Sequence, residues 1–412
     1  MSRPEFQVTK PSGLRRLLPA LELVTAYTTF ATLGLSVGFR GVAWPSIRST
    51  FGLPLDAVGT WLLAITIGSI LSSFNGGYVA SVVGMGRLLA VSGLATAVGL
   101  LGCGLAPAWL WMILAGLVSG LGSGAMHAGL NAHFAAHLGP RALNWVHACF
   151  GVGATVGPWA MSSILTAGWS WRWAYAAAGA WMILLVIGFT LTLSRWGGSS
   201  DQRMRIRETS AATEERRETF KLPIVWLSLL LFFSYTGVES TAGQWAYSLF
   251  TEARSVPEAT AGLWMTIYWG GLAAGRLLLG SVVERLGPVS LIRLASLSVA
   301  VGAGLIWWHA TDVLSFLGLA LMGLAEGPIF PSLVSVTPRR VSAGHVDKAI
   351  GFQVAAASLG SAVLSGLAGV LAERTTLEIV GPFLLFWSAA IIALHEFTLR
   401  LARDGRRREA TP

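Results

Sequence analysis

Charge is scarce in this chain. Of 412 residues only 12% are Asp, Glu, Lys or Arg, about half the share of an average soluble domain. A water-soluble protein of this length needs more polar surface than that, which argues against a soluble enzyme. The 54% of hydrophobic residues argue equally against a disordered chain. Cysteine is scarcer still. Cys103 and Cys149 both stand in apolar runs, so neither a disulfide framework nor a cysteine-based zinc site is expected. His127, Asn131 and His133 lack the added carboxylate or thiolate that a metal site would need, so no metal is expected. There is no G-x-x-x-x-G-K-[ST] phosphate loop and no haem or flavin motif, hence no expected organic cofactor. Residues 1–20 are polar and basic without an early apolar core, unlike a cleavable signal peptide. The net charge of +9 would fit a nucleic-acid partner if it were gathered on one domain. Here the basic residues are spread between apolar runs, and no nucleic acid is expected.

Long apolar runs are abundant instead. Read against their polar breaks they give twelve spans, at 20–44, 56–80, 87–106, 108–136, 143–168, 172–195, 222–250, 258–283, 288–309, 312–336, 347–372 and 377–399. About 20 apolar residues carry a helix across the hydrocarbon of a bilayer, whereas a β-barrel shows shorter, alternating segments. The predicted class is an all-α membrane protein with the lipid bilayer as its surroundings. Lys and Arg set the orientation. Of the 29, 22 stand in the tails or at the loops after even-numbered spans. Four follow odd-numbered spans (Arg48, Arg172, Arg254, Arg374), and Arg40, Arg276 and Arg293 lie in spans or at their ends. Both termini are therefore expected in the cytoplasm, in a plasma membrane of the bacterial inner-membrane type. The domain reading is a tail over 1–19, six spans over 20–195, a linker over 196–221, six spans over 222–399 and a basic tail over 400–412. The linker mixes Arg203, Arg205, Arg207, Arg216 and Arg217 with Glu208, Glu214, Glu215 and Glu218. It reads as a cytoplasmic connection between halves, with a regulatory or lipid-headgroup contact as the alternative.

The halves repeat. At an offset of 203 residues Gly34 falls on Gly237, Gly59 on Gly262, Gly68 on Gly271, Gly77 on Gly280, and Gly84 on Gly287. Gly99 falls on Gly302, Gly120 on Gly323, Gly124 on Gly327, Gly157 on Gly360, and Trp61 on Trp264. Glycines mark close helix approach in membranes, so matched glycines predict matched packing. The expected architecture is two pseudo-symmetric six-helix bundles related by an axis along the membrane normal.

After span eight the chain reads Gly280-Ser-Val-Val-Glu284-Arg285-Leu-Gly287. This resembles the G-x-x-x-D/E-R-x-G motif of the major facilitator superfamily, whose acid and arginine latch helices on the cytoplasmic side. The first-half equivalent, Gly77 to Gly84, keeps the glycines but has Ser81 and Val82 in place of the acid and arginine. Several further stretches resemble the fucose-permease-like sugar-porter branch. They are Gly38-Phe-Arg40-Gly-Val-Ala-Trp44-Pro45, Asn144 to Pro158, Glu239-Ser-Thr-Ala-Gly243-Gln244-Trp245, Tyr268-Trp269-Gly270-Gly271 and Gly327-Pro328-Ile-Phe330-Pro331. One departure is His127, four residues before Asn131, where that branch commonly carries an acid. The resemblance implies the major facilitator fold and a secondary carrier, not an enzyme. It also implies a small, neutral polar substrate, a sugar or sugar-like compound. A monomer working by alternating access, with the proton as coupling ion, is expected.

An ionisable residue inside a span usually faces a cavity or a partner. Glu239 is the first candidate for substrate binding and coupling. Gly237 and Gly243 flank it and predict a helix break there, and Gln244 and Trp245 offer an amide and a stacking face. Glu326 sits before Pro328 and Pro331 and reads either as a gating acid or as a partner of Arg276. Ser119, Ser123, His127 and Asn131 share a stripe of span four. The stripe reads as a cavity wall or as an interhelical seam, with Glu239 or Glu326 as conceivable partners of His127. Tyr268 and Trp269 read as stacking or packing groups. Arg40 is either a clamp for a polar ligand or a snorkelling residue at the outer end of span one, with Trp44 an interface anchor. His147 reads as structural, and Gln353 stands beside glycines in span eleven. Asn75 and Arg276 read as packing and latch residues near the cytoplasmic face, with Gly280, Glu284, Arg285 and Gly287. The rival classes are a proton-coupled exporter of amphipathic drugs, a lipid flippase and a non-transporting membrane sensor.

Overall fold

The structure is a computed structural model that describes residues 13–196, 219, 222–278, 283, 285–341 and 345–409. Gly280, Glu284 and nearly all of the 196–221 linker lie outside the described residues. The described residues are helical almost throughout. The first six spans are the helices Gly13–Phe51, Ala57–Val83, Met85–Leu105, Trp109–His137, Gly139–Thr166 and Arg172–Leu191. Spans seven to nine are Pro223–Ser248, extended by a π-helical turn Leu249–Ala253, then Glu258–Leu278 and Pro288–Trp308. Span ten is split into Asp312–Glu326 and Ile329–Val336, and spans eleven and twelve are Val346–Arg374 and Val380–Glu409.

Among the described residues, eleven helical segments are long and apolar enough to cross a membrane. The helix that falls short by hydropathy is span eight, where Trp264, Tyr268, Trp269, Arg276 and four glycines dilute the apolar run. Its low hydropathy costs little, because Ala261, Gly262, Met265, Tyr268, Trp269, Leu272 and Gly275 are buried in protein.

Local sequence explains the breaks. Gly84 and Gly287, matched across the halves, turn the chain between spans two and three and between spans eight and nine. Their φ values are +90° and +73°, with ψ near 150° in both, a region open essentially to glycine alone. Pro223 and Pro288 open spans seven and nine, where a missing N–H costs nothing. Pro328 lacks the N–H that would continue span ten.

Packing repeats as the glycines predict. Span one lies on five as seven lies on eleven, two on four as eight on ten, three on four as nine on ten, and three on six as nine on twelve. The matched glycines make matched contacts. A Cβ on Gly120 would meet the Ile65 carbonyl oxygen at 2.1 Å, and one on Gly323 would meet that of Tyr268, the repeat counterpart of Ile65, at 2.3 Å. Gly99 and Gly302 bring spans three and nine equally close to four and ten.

The halves meet through spans five and eight, two and eleven, and one and seven. An even number of spans puts both termini on one face. At the opposite, far face the halves are sealed. Arg48 pairs with Glu252, the Leu55 N–H donates to Glu373 Oε2 at 2.6 Å, and Ser162 Oγ donates to the Glu258 carbonyl at 3.2 Å. Gly41 packs on the backbone of Gly243, and Gly59 on Gly366. Toward the terminal face the halves part. Gly77 and Gly351 meet nothing within 4 Å, and an apolar groove of about 440 Å³ opens between spans two, seven and eleven.

Several tryptophans form an outer belt, with Trp169, Trp173, Trp307 and Trp308 all more than half exposed. Trp44 corrects one expectation. It is fully buried, against Trp109, because span one continues to Phe51 and holds Trp44 well inside the bundle.

Candidate functional site

Two adjoining arrangements occupy the middle of the molecule. The first is a small cavity of about 50 Å³ between the halves, lined by Val37, Arg40, Gly41 and Leu62 on one side and Ser240, Gly243, Gln244, Trp269, Ser361 and Ser365 on the other. Room for a few waters is all that volume offers, so this conformation holds the site nearly closed. Ser240 and Ser361 share a hydrogen bond of 2.5 Å between spans seven and eleven. Gln244 is 5% exposed and its Nε2 has no partner.

The second arrangement lies a helical turn away and joins spans seven, eight and ten. The Tyr235 hydroxyl reaches the Glu239 carboxylate and, at 2.9 Å, the carbonyl of Glu326. The Tyr268 hydroxyl reaches Glu326 Oε2 at 2.6 Å and the Glu239 carbonyl at 2.7 Å. Arg276 faces Glu239 across 3.7 Å. Two carboxyls, two phenols and a guanidinium thus form one connected network between spans seven, eight and ten. Glu326 is fully buried and its Oε1 has no donor, while Glu239 and Arg276 keep partial exposure. The split of span ten follows directly after Glu326, so its side chain stands at a point where the helix already bends.

Of the residues singled out in the sequence, Arg40, Gln244 and Trp269 come together in the cavity, and Glu239, Glu326, Tyr268 and Arg276 in the network. Others are corrected. Arg40 is not at the outer end of span one: eleven residues follow it in the helix, about 16 Å at 1.5 Å per residue, too far for snorkelling. Span seven does not break at Gly237 or Gly243. These glycines serve close packing instead, against Leu364 and against Trp269 and span one. Arg276 pairs with Glu239 rather than with Glu326, and the latch acid Glu284 lies outside the described residues. Tyr268 is fully buried and bonded through its hydroxyl, so it does not offer a stacking face. Trp245 is fully buried, and its Nε1 donates to the Ser365 carbonyl at 2.8 Å, which fastens span seven to eleven.

The span-four stripe does not form one wall. Ser119 packs on Gly99 of span three, Ser123 bonds its own helix, and His127 sits edge-on between Phe30 and Phe150. Neither Glu239 nor Glu326 reaches His127. Asn131 has a buried Oδ1 without a partner and lies outside the cavity lining. His147 packs on Phe30, Gln353 accepts from Thr337, and exposed Asn75 donates to its own helix. Arg285 is exposed beside Gly287. Among the described residues there is no cluster of metal-ligating side chains.

Sequence reasoning missed Tyr235, Ser240, Ser361 and Ser365. Tyr235 had a signal, since a residue four before Glu239 shares its helix face. The serines had none, because small polar residues are common helix-packing elements in membranes.

Two six-helix bundles with a polar site between them define the class: a multi-pass membrane transporter built from a parallel repeat. The family model described as Major Facilitator Superfamily matches residues 26–252 and 227–411, and the chain belongs to that superfamily. It is similar to the human protein "Sodium-dependent glucose transporter 1", 24% identical over 380 residues that cover 83% of this chain and 72% of that one. It is also similar to the Saccharomyces cerevisiae "Bypass of stop codon protein 6", 30% identical over 210 residues, 47% of this chain and only 41% of the yeast protein. In fold it resembles the crystal structure of the E. coli fucose:proton symporter, with a TM-score of 0.63 at 12% identity over 92% of this chain and 98% of that one. That last likeness speaks to fold alone.

Proposed function

We propose that the chain is a secondary active carrier that moves a small polar solute, a sugar or sugar-like compound, by alternating access coupled to protons. It acts as a monomer in a bacterial-type inner membrane, with both termini and the open end of the groove in the cytoplasm. The observation that carries this reading is the cavity at the junction of the halves. It brings hydroxyl, amide and guanidinium groups beside an indole, the mixed lining a sugar needs, and it is sealed at one face only. Hydroxyls leave water at little cost only if each finds a partner. The human sodium-dependent glucose transporter among the relatives supports the substrate class.

Glu239 is the coupling group in this reading. It shares Tyr235 with the backbone of Glu326 and faces Arg276, so a proton arriving on Glu239 frees the arginine and loosens the network that ties spans seven, eight and ten. Movement of those spans re-sides the cavity. The test is flux in proteoliposomes with a pH or a sodium gradient imposed. Wild type should accumulate solute on the pH gradient. Glu239→Gln should lose accumulation and keep exchange of labelled for unlabelled solute. Proton-driven accumulation by that variant removes Glu239 from coupling, and accumulation driven by sodium alone removes the proton.

A second reading has one observation in its favour. The groove lined by Ile70, Phe74, Trp226, Phe233 and Leu359 is wholly apolar, which suits an amphipathic solute entering from the side. Efflux of a lipophilic cation by the same proteoliposomes, with no response to sugars, would favour it.

A further inference from the structure

The cavity holds a cation that nothing among the described residues neutralises. Within or at the edges of the spans Arg48 faces Glu252, Arg254 faces Glu378, Arg276 faces Glu239 and Arg293 faces Glu396. Arg172 donates instead to the carbonyls of Gly104 and Ala106. Each of these charges, from the buried Arg254 to the partly exposed Arg48, Arg276 and Arg293, is paired or hydrogen-bonded, as a charge leaving water should be. Arg40 departs from this. Among the described residues it has neither hydrogen bond nor ion pair, although it stands about 16 Å from the end of its helix. Its guanidinium stays charged in proteins, and it lines the space where the halves meet.

The rest of the lining has the same bias. Gln244 contributes an unpaired Nε2 donor, Ser365 an unpaired buried hydroxyl, and Ser240 and Ser361 two more hydroxyls that now bond each other. No carboxylate lines the cavity, because Glu239, though adjacent to Ser240, is engaged with Tyr235 and Arg276. The donors converge on a volume that lacks an anion, and the Trp269 indole supplies an apolar wall beside them. A planar guanidinium matches a carboxylate with two parallel hydrogen bonds.

We propose that Arg40 is the anion-binding residue of the central site and that the transported solute is a hydroxylated carboxylate, a sugar acid rather than a neutral sugar. This rests on the sugar-like reading above and narrows it: the carboxylate lies on Arg40, the hydroxyls on Gln244, Ser240 and Ser361, and the C–H face on Trp269. Binding the anion supplies the counter-charge that the described residues lack, so the solute itself draws the halves together around Arg40.

The experiment uses the full chain in detergent and in proteoliposomes at one pH and ionic strength. D-glucuronate and D-gluconate are compared with D-glucose, and with lactate as a carboxylate that lacks the sugar frame. Thermal shift and counterflow of radiolabelled D-glucuronate are the readouts. Wild type should be stabilised by the sugar acids and not by D-glucose. Arg40→Gln should weaken sugar-acid binding about thirty-fold or more, the loss of one buried charge pair, while Arg40→Lys keeps part of it. Without ligand, Arg40→Gln should unfold at the same temperature as wild type or higher, since it removes a charge that has no partner among the described residues. D-glucose binding as well as D-glucuronate, or undiminished D-glucuronate binding by Arg40→Gln, overturns the proposal. So does a lower unfolding temperature for ligand-free Arg40→Gln, which would show partners for Arg40 inside the protein. Lactate binding that depends on Arg40 without any response to sugar acids keeps the anion site and overturns the sugar-like reading, so the two failures are distinct.

Discussion

Replacing Gly41 by alanine should open the far face. The added Cβ would lie 2.2 Å from the carbonyl oxygen of Gly243 and 3.0 Å from that of Gln244. Ordinary contact begins at 3.4 Å, so the halves must part there by 3.4 − 2.2 = 1.2 Å. The opposing atoms are helix backbone and have no rotamer to yield. Overpacking of this kind costs about 1–3 kcal/mol. The cost falls only on the conformation in which spans one and seven touch. At 1.4 kcal/mol per tenfold, the far-open population should rise by about 5- to 140-fold. The assay is alkylation from the far side by a membrane-impermeant maleimide, in a background without Cys103 and Cys149 and with Ser361→Cys as reporter in the cavity. Gly41→Ala should speed labelling by about that factor. Gly304→Ala should leave it unchanged, because its Cβ meets nothing within 4 Å. Equal labelling rates for Gly41→Ala and its parent would refute the idea that this glycine contact seals the far face.

The Arg48–Glu252 pair should matter less to the same seal. Both side chains are more than a quarter exposed, and pairs of that kind contribute about 0.2–1 kcal/mol, so Arg48→Gln should raise labelling of the same reporter by no more than about fivefold. Tyr268→Phe keeps the ring and strips Glu326 Oε2 of its donor. A buried acceptor left alone costs about 1–3 kcal/mol, which should appear as a lower unfolding temperature, with a smaller loss for Thr236→Val on the same bundle. Gly287→Ala meets no atom within 4 Å but must hold φ near +73°. It should cost about 1–3 kcal/mol of backbone strain alone, and Gly84→Ala, at the matched turn, should cost about the same in calorimetry.

Some of the site was legible because intramembrane charge is costly enough to be deliberate. That argument found Glu239, Glu326, Arg40 and Arg276 from the sequence, each as a charged letter in an apolar run. It did not find their partners. Arg276 is 37 residues from Glu239 and 50 from Glu326, and nothing in those separations says which acid it faces. The choice depends on how far span eight has slid along span seven. The glycines around Glu239 were misread for a related reason. A glycine that breaks a helix and a glycine that admits a neighbouring helix are written alike, and only the Leu364 and Trp269 contacts tell them apart.

Composition, periodicity and the 203-residue repeat determined the membrane setting, the number of spans and their pairwise packing, because hydrophobic length and close-approach glycines act locally and recur identically in both halves. Tertiary structure alone decided which side of the molecule is shut, that Arg40 lines the cavity without a partner among the described residues, and which serines face the cavity. Those properties belong to the meeting of two bundles that differ in sequence, where a rotation of one helix by a few residues exchanges a partner for a void.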